Sequence, residues 1–203
     1  MEALRVGQHA LLVECADAVQ VAATYALLRG RLDDLGAQEL VPAARTVLLD
    51  GLADVDAALA LIAPLETHAP QAAAVPSGAL VELPTRYDGA DLDEVARQWG
   101  LTTDEVVRTH QDALFVVTFC GFAPGFAYCT GLAPELTVAR RPDPRAAVPP
   151  GSVALAGEFT GVYPTASPGG WQLIGTTSAR LWDPAAEQPA VLTPGTRVKF
   201  VEG

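Results

Sequence analysis

The segments Val148-Pro149-Pro150-Gly151-Ser152-Val153-Ala154-Leu155-Ala156 and Ser167-Pro168-Gly169-Gly170-Trp171-Gln172-Leu173-Ile174 decide the fold class. In each, a proline and glycine turn feeds a short apolar run, too brief for a helix, that reads as a strand. Runs at 180–182 and 197–201 repeat the pattern. Most of the chain's 16 prolines and 18 glycines lie after residue 119, where helical periodicity stops. Many short strands joined by turns predict a closed or nearly closed β structure.

Just upstream, the pattern is helical. Asp91 with Glu94, and Thr102 with Glu105, each stand three apart ahead of apolar residues, the spacing of a capping box. Two short helices are expected to meet at Gly100, the second ending near His110, with a buried strand at 113–119. Further back, residues 10–14 read as a strand. Asp17 is placed to cap a helix whose apolar positions Val21, Tyr25 and Leu28 run to Gly30. Strands are expected at 38–41 and 46–49 and a helix at 54–62, closed by Pro64. With a last strand at 80–83, this order gives a small α+β unit of βαββαβ type. The Ala- and Pro-rich residues 67–78 read as a flexible loop. The expected division is residues 1–84 and 85–203.

Composition narrows the function. The 203 residues, 50% hydrophobic and 18% charged, suffice for a sizeable core. A net charge of −11 repels phosphate backbones and anionic lipid, so neither nucleic acid nor membrane is an expected partner. Cys15, Cys120 and Cys129 read as reduced, buried thiols. The first ten residues lack the charged and apolar regions of an export signal, which gives a cytoplasmic expectation. The single lysine, Lys199, follows Val198, so there is no P-loop, and no serine sits in a GxSxG elbow. His9, His68 and His110 stand far apart, so no metal site is expected.

What chemistry remains lies in loops. Glycines from Gly121 to Gly125 suit either tight turns or backbone amides that bind an anion. Phe122, Phe126, Tyr128, Tyr163 and Trp171 suit either a core or a ligand platform. Arg140, Arg141 and Arg145 put three guanidiniums within six positions, an arrangement that calls for substrate anions or internal carboxylates. His110 is a candidate acid or base, or a structural helix-end histidine. Asp88 and Asp91 read as turn and cap. Ser152 and Ser167 belong to the same blocks and count with the substrate-binding candidates.

Taken in order, Gly121-Phe122-Ala123-Pro124-Gly125-Phe126-Ala127-Tyr128, Arg140-Arg141-Pro142, Val148-Pro149-Pro150-Gly151-Ser152-Val153, Gly161-Val162-Tyr163-Pro164 and Ser167-Pro168-Gly169-Gly170-Trp171 resemble the allophanate hydrolase subunit 1 family. The resemblance implies a small N-terminal α+β domain and a C-terminal cyclophilin-like β-barrel. It implies an ATP-dependent 5-oxoprolinase complex that opens 5-oxoproline to glutamate. The implied partners are a cyclophilin-like protein of the subunit 2 kind, the C component of that complex, and a lamB/YcsF-type protein, its A component. ATP is the implied co-substrate, with no metal or organic cofactor. His110 and Arg145 become the catalytic candidates; Arg140, Arg141, Gly121, Phe122, Gly125, Phe126, Tyr128, Ser152, Tyr163, Ser167 and Trp171 become the substrate-binding ones. The same family includes KipI-type inhibitors of histidine kinases and urea carboxylase-type carboxyltransferase subunits, which stand as alternatives. The family's usual arginine after the glycine following the SPGGW strand is missing, since the chain reads Gly175-Thr176-Thr177.

Overall fold

A computed structural model describes residues 2–65 and 78–203. They fall into two compact units, residues 1–75 and 76–203. The loop expected at 67–78 lies, apart from Gly78, outside the described residues.

The first unit contains β1 (Glu2–Val6), β2 (Ala10–Glu14), α1 (Ala18–Arg29), α2 (Leu32–Leu35), β3 (Glu39–Pro42), β4 (Thr46–Asp50) and α3 (Val55–Ile62). The strands form an antiparallel sheet of order β1-β2-β4-β3. Asp17 caps α1 by accepting the Gln20 N–H at 2.8 Å, and Asp54 caps α3 through the Ala57 N–H at 3.0 Å; each such cap stabilises a helix by about 1 kcal/mol. Val21 and Leu28 of α1, and Val55, Ala58 and Ile62 of α3, pack on Leu11, Val13, Val47 and Leu49 of the sheet. The sequence expectation lacks β1 and α2.

The second unit contains β5 (Leu80–Thr85), α4 (Leu92–Trp99), α5 (Thr103–Asp112), β6 (Phe115–Cys120), β7 (Ala127–Thr130), β8 (Arg145–Val148), β9 (Ser152–Ala156), β10 (Phe159–Val162), β11 (Ser167–Gly169), β12 (Gln172–Thr176) and β13 (Arg197–Glu202). Seven strands form one sheet of order β12-β9-β10-β7-β6-β13-β5, and β8 pairs with β11 separately. The two ends of the large sheet meet: the Arg86 N–H donates to Thr176 O at 2.9 Å and the Thr176 N–H to Arg86 O at 2.8 Å. This seam nearly closes the sheet into a barrel. On one face of the sheet Val153, Leu155, Ile174, Val198 and Phe200 pack with Val95, Ala96 and Val106 of the helices. On the other, Ala154, Ala156 and Leu173 pack with Phe126, Tyr163 and Trp171.

Three expectations are corrected. The strand at 80–83 does not complete the first sheet; β5 pairs in parallel with β13, a partner over 100 residues away that local pattern does not reveal. Residues 180–182 form no strand. Only Trp182 bridges, to Ala190, because Pro184 and Pro189 frame the connection and Pro lacks the ladder donor. At Thr102 and Glu105 the capping box forms in full, whereas at Asp91 the side chain makes no cap bond. Its carboxylate is used elsewhere.

Candidate functional site

Residues 86–91 run from the seam along the free edge of β12. Gly89 lies so close to this edge that a Cβ would strike the backbone of Ile174 and Leu173. The Asp91 N–H donates to Leu173 O at 2.9 Å. This pins the Asp91 side chain, 4% exposed, against the strand. Its Oδ2 accepts the Leu173 N–H at 2.7 Å. Its Oδ1 accepts both Arg141 Nη1 and Arg145 Nη2, each at 2.8 Å.

The arginines are held from behind. The Arg141 N–H donates to Gly170 O at 2.8 Å, and Arg145 opens β8 opposite Gly169 of β11. Burial pushes the Asp91 carboxyl upward. The Arg145 hydrogen bond, the Leu173 amide and the charges of Arg145 and Arg141 outweigh it, so the group stays below the usual carboxylate range. Two guanidiniums nevertheless share one oxygen. Arg141 Nε and Arg145 Nη1 are buried without a partner among the described residues, as is Gln172 Oε1, and each unsatisfied atom costs roughly 1–3 kcal/mol unless a ligand or water meets it. Arg140 is exposed, makes no ion pair among the described residues, and lies near enough to lower the Tyr128 and Tyr163 phenols against the upward push of their burial.

The aromatic candidates come together, as core. Phe126 meets Tyr163, Trp171 and Tyr128 with ring centroids 5.3, 5.4 and 5.1 Å apart, all T-shaped. Phe126, Tyr163 and Trp171 are buried, so they cannot serve as an open platform. Phe122 differs: it is 59% exposed and its φ of 69° is left-handed, the one positive φ outside glycine among the described residues. The Gly121 to Phe126 loop consumes several of its own amides: Gly121 donates to Phe126 O, Ala123 to Gly121 O and Phe126 to Ala123 O. Those of Phe122 and Gly125 have no partner among the described residues. The Ser152 hydroxyl donates to Pro149 O at 2.8 Å and that of Ser167 to Thr165 O at 3.1 Å, so both are engaged in their own turns.

His110, the acid or base candidate, lies in the core of the second unit. It is 0% exposed, packed between Phe115 and Phe200 at 4.8 and 4.5 Å. Nδ1 bonds the Tyr87 hydroxyl at 2.8 Å and Nε2 lies 3.4 Å from Thr160 Oγ1. Burial lowers its pKa to about 3. The ring is thus neutral, with both nitrogens engaged and no face toward solvent. Asp91, read from sequence as a cap, is the residue that reasoning missed. The available signal was the excess of three arginines in a loop whose own segment offers only Asp143. Among the described residues no three His, Cys, Asp or Glu side chains gather to hold a metal ion, and no helix is long and apolar enough to cross a membrane.

A two-unit α/β chain with a nearly closed seven-stranded sheet and an arginine loop at its seam defines the class. The chain belongs to the family described as carboxyltransferase domain, subdomain C and D, which matches residues 1–192. It is 49% identical over 129 residues to the 5-oxoprolinase B subunit of Escherichia coli O157:H7, covering 62% of this chain and 59% of that protein. The 5-oxoprolinase B subunit of Bacillus subtilis (strain 168) is 44% identical over 125 residues, with 60% and 52% covered. These alignments therefore span little more than half of each curated relative. A solved structure of TTHA0988 superposes with a TM-score of 0.77 at 35% identity, covering 96% of this chain and 40% of that one. The urea amidolyase of K. lactis reaches a TM-score of 0.79 at 19% identity over 99% of this chain and 15% of that one, a likeness of fold alone.

Proposed function

We propose that this chain is one component of an ATP-dependent 5-oxoprolinase complex that hydrolyses 5-oxo-L-proline to L-glutamate. The likeness to the 5-oxoprolinase B subunits of two bacteria carries the reading. The second unit is then a cyclophilin-like barrel. Its partners are a second cyclophilin-like protein, the C component, and a lamB/YcsF-type protein, the A component, and use of ATP places the work in the cytoplasm.

The chemistry suits a site rich in charge. A five-membered lactam is a resonance-stabilised amide that resists water. Transfer of the γ-phosphoryl group of ATP to the lactam oxygen releases ADP and makes the ring carbon electrophilic. Water then adds, the C–N bond breaks with its electrons and a proton going to nitrogen, and a second water releases phosphate and glutamate. In this reading the arginine loop supplies positive charge for the anionic reactants, and the Phe122 and Gly125 amides face the activated carbonyl. No nucleophile from this chain is needed, and His110 takes no part.

The test is coexpression with both partner proteins and measurement of ADP released on addition of 5-oxo-L-proline. Release that requires this chain supports the reading. A folded three-protein mixture giving no 5-oxoproline-dependent ADP overturns it.

A further inference from the structure

Three buried side-chain polar atoms lack partners among the described residues, and two of them, Arg141 Nε and Arg145 Nη1, belong to the guanidiniums that share Asp91 Oδ1. Folded proteins keep few such atoms, and each calls for an explanation. The trio carries a surplus positive charge: one carboxylate faces two guanidiniums. Asp143, between them in sequence, is exposed and makes neither of these bonds. Exposed Arg140 adds a further charge beside them. Yet the arginines are not loose. The side chains of Arg141 and Arg145 are 34% and 23% exposed, and each is fixed at one end by a carboxylate that is itself tied to the backbone of β12.

We infer that Asp91, Arg141 and Arg145 form an oxyanion-binding site, in which the guanidinium N–H groups that Asp91 leaves unused are the donors and Asp91 is the positioning residue. Asp91 uses one terminal nitrogen of each fork and so decides which N–H groups remain to face a ligand. A guanidinium has five donors in a rigid plane, so fixing one end orients the rest. The site takes a single oxyanion, supplied either by a carboxylate or by a phosphoryl group. Only the naming of that anion as a reactant rests on the 5-oxoprolinase reading.

The full chain, labelled with 15N-arginine, is titrated while the Nε–H resonances are followed, Arg141→Lys and Arg145→Lys providing the assignments. The probes are 5-oxo-L-proline, its carboxamide, which keeps the lactam and lacks the carboxylate, and inorganic phosphate. Saturable shifts with 5-oxo-L-proline and none with the carboxamide place a carboxylate in the site; shifts with phosphate alone place a phosphoryl group there. Absence of shifts with all three overturns the inference, whatever the complex does with ATP. Asp91→Asn keeps the shape and removes the charge, and binding by its folded fraction, read well below its melting temperature, is expected to weaken about tenfold. Unchanged affinity in that fraction assigns Asp91 a structural role only and overturns its positioning role. If Asp91→Asn does not fold, Asp91→Glu takes its place: it keeps the charge and displaces the carboxylate, and equal affinity again refutes positioning. A complex without ADP release whose arginine resonances still respond would sink the 5-oxoprolinase reading and leave this site standing.

Discussion

At His110 a single side chain links burial to acid sensitivity. Its pKa stands near 3 in the folded chain against an ordinary 6.5, so between those values the unfolded chain binds a proton that the folded one refuses. Stability contributed by the neutral ring is complete above pH 6.5 and is lost as pH falls toward 3, at about 1.4 kcal/mol per pH unit for one proton. Urea midpoints measured at pH 7 and pH 5 should differ more in the wild type than in His110→Gln; equal differences would refute the assignment. Asp91 behaves in the same sense at lower pH, because its pKa is lowered too: its pairing holds above the ordinary carboxylate range and is lost only as strong acid protonates it. Removing this carboxylate leaves two guanidiniums uncompensated, so Asp91→Ala should cost about 3–5 kcal/mol, read by thermal unfolding. Little of this was legible in sequence. Asp91 precedes Glu94 by three, which local reasoning takes for a capping box, and nothing local tells it of arginines 50 and 54 positions on.

Among the elements, those whose signals are local were legible. Asp17, Asp54 and the Thr102–Glu105 pair mark helix starts that form as read, because a cap and its amides lie within one turn. The runs at 152–156 and 197–201 become strands for the same reason. Pairing across the chain was not legible, as β5 demonstrates, since a strand's own alternation does not name its neighbour. The seam gives a sharp test at this scale. A Cβ on Gly89 would meet the backbone of Ile174 and Leu173, and one on Gly175 that of Arg86, whereas on Gly121 it would reach only the Tyr128 ring edge at 4.0 Å. Gly89→Ala and Gly175→Ala should each lower the unfolding midpoint severely, while Gly121→Ala stays within about 0.5 kcal/mol of wild type. Phe122 supplies a contrast: glycine relieves its left-handed backbone, so Phe122→Gly should not lower the midpoint despite losing a large ring.

On the scale of the whole molecule, the acidic charge of −11 and the arginine loop are complementary facts: positive charge is concentrated in a chain that otherwise repels anions. The order of the large sheet has a further outcome. Its last strand in sequence, β13, lies between β6 and β5 and is bonded to both. Deleting residues 197–203 should therefore abolish the cooperative unfolding transition of the second unit in calorimetry; a transition that survives would contradict the topology. During synthesis the same arrangement leaves the large sheet incomplete until β13 is made. Strands β6, β7, β10, β9 and β12 can pair as they emerge, but β5 and one edge of β6 stay unpaired until then, and over that interval those edges are open to mispairing.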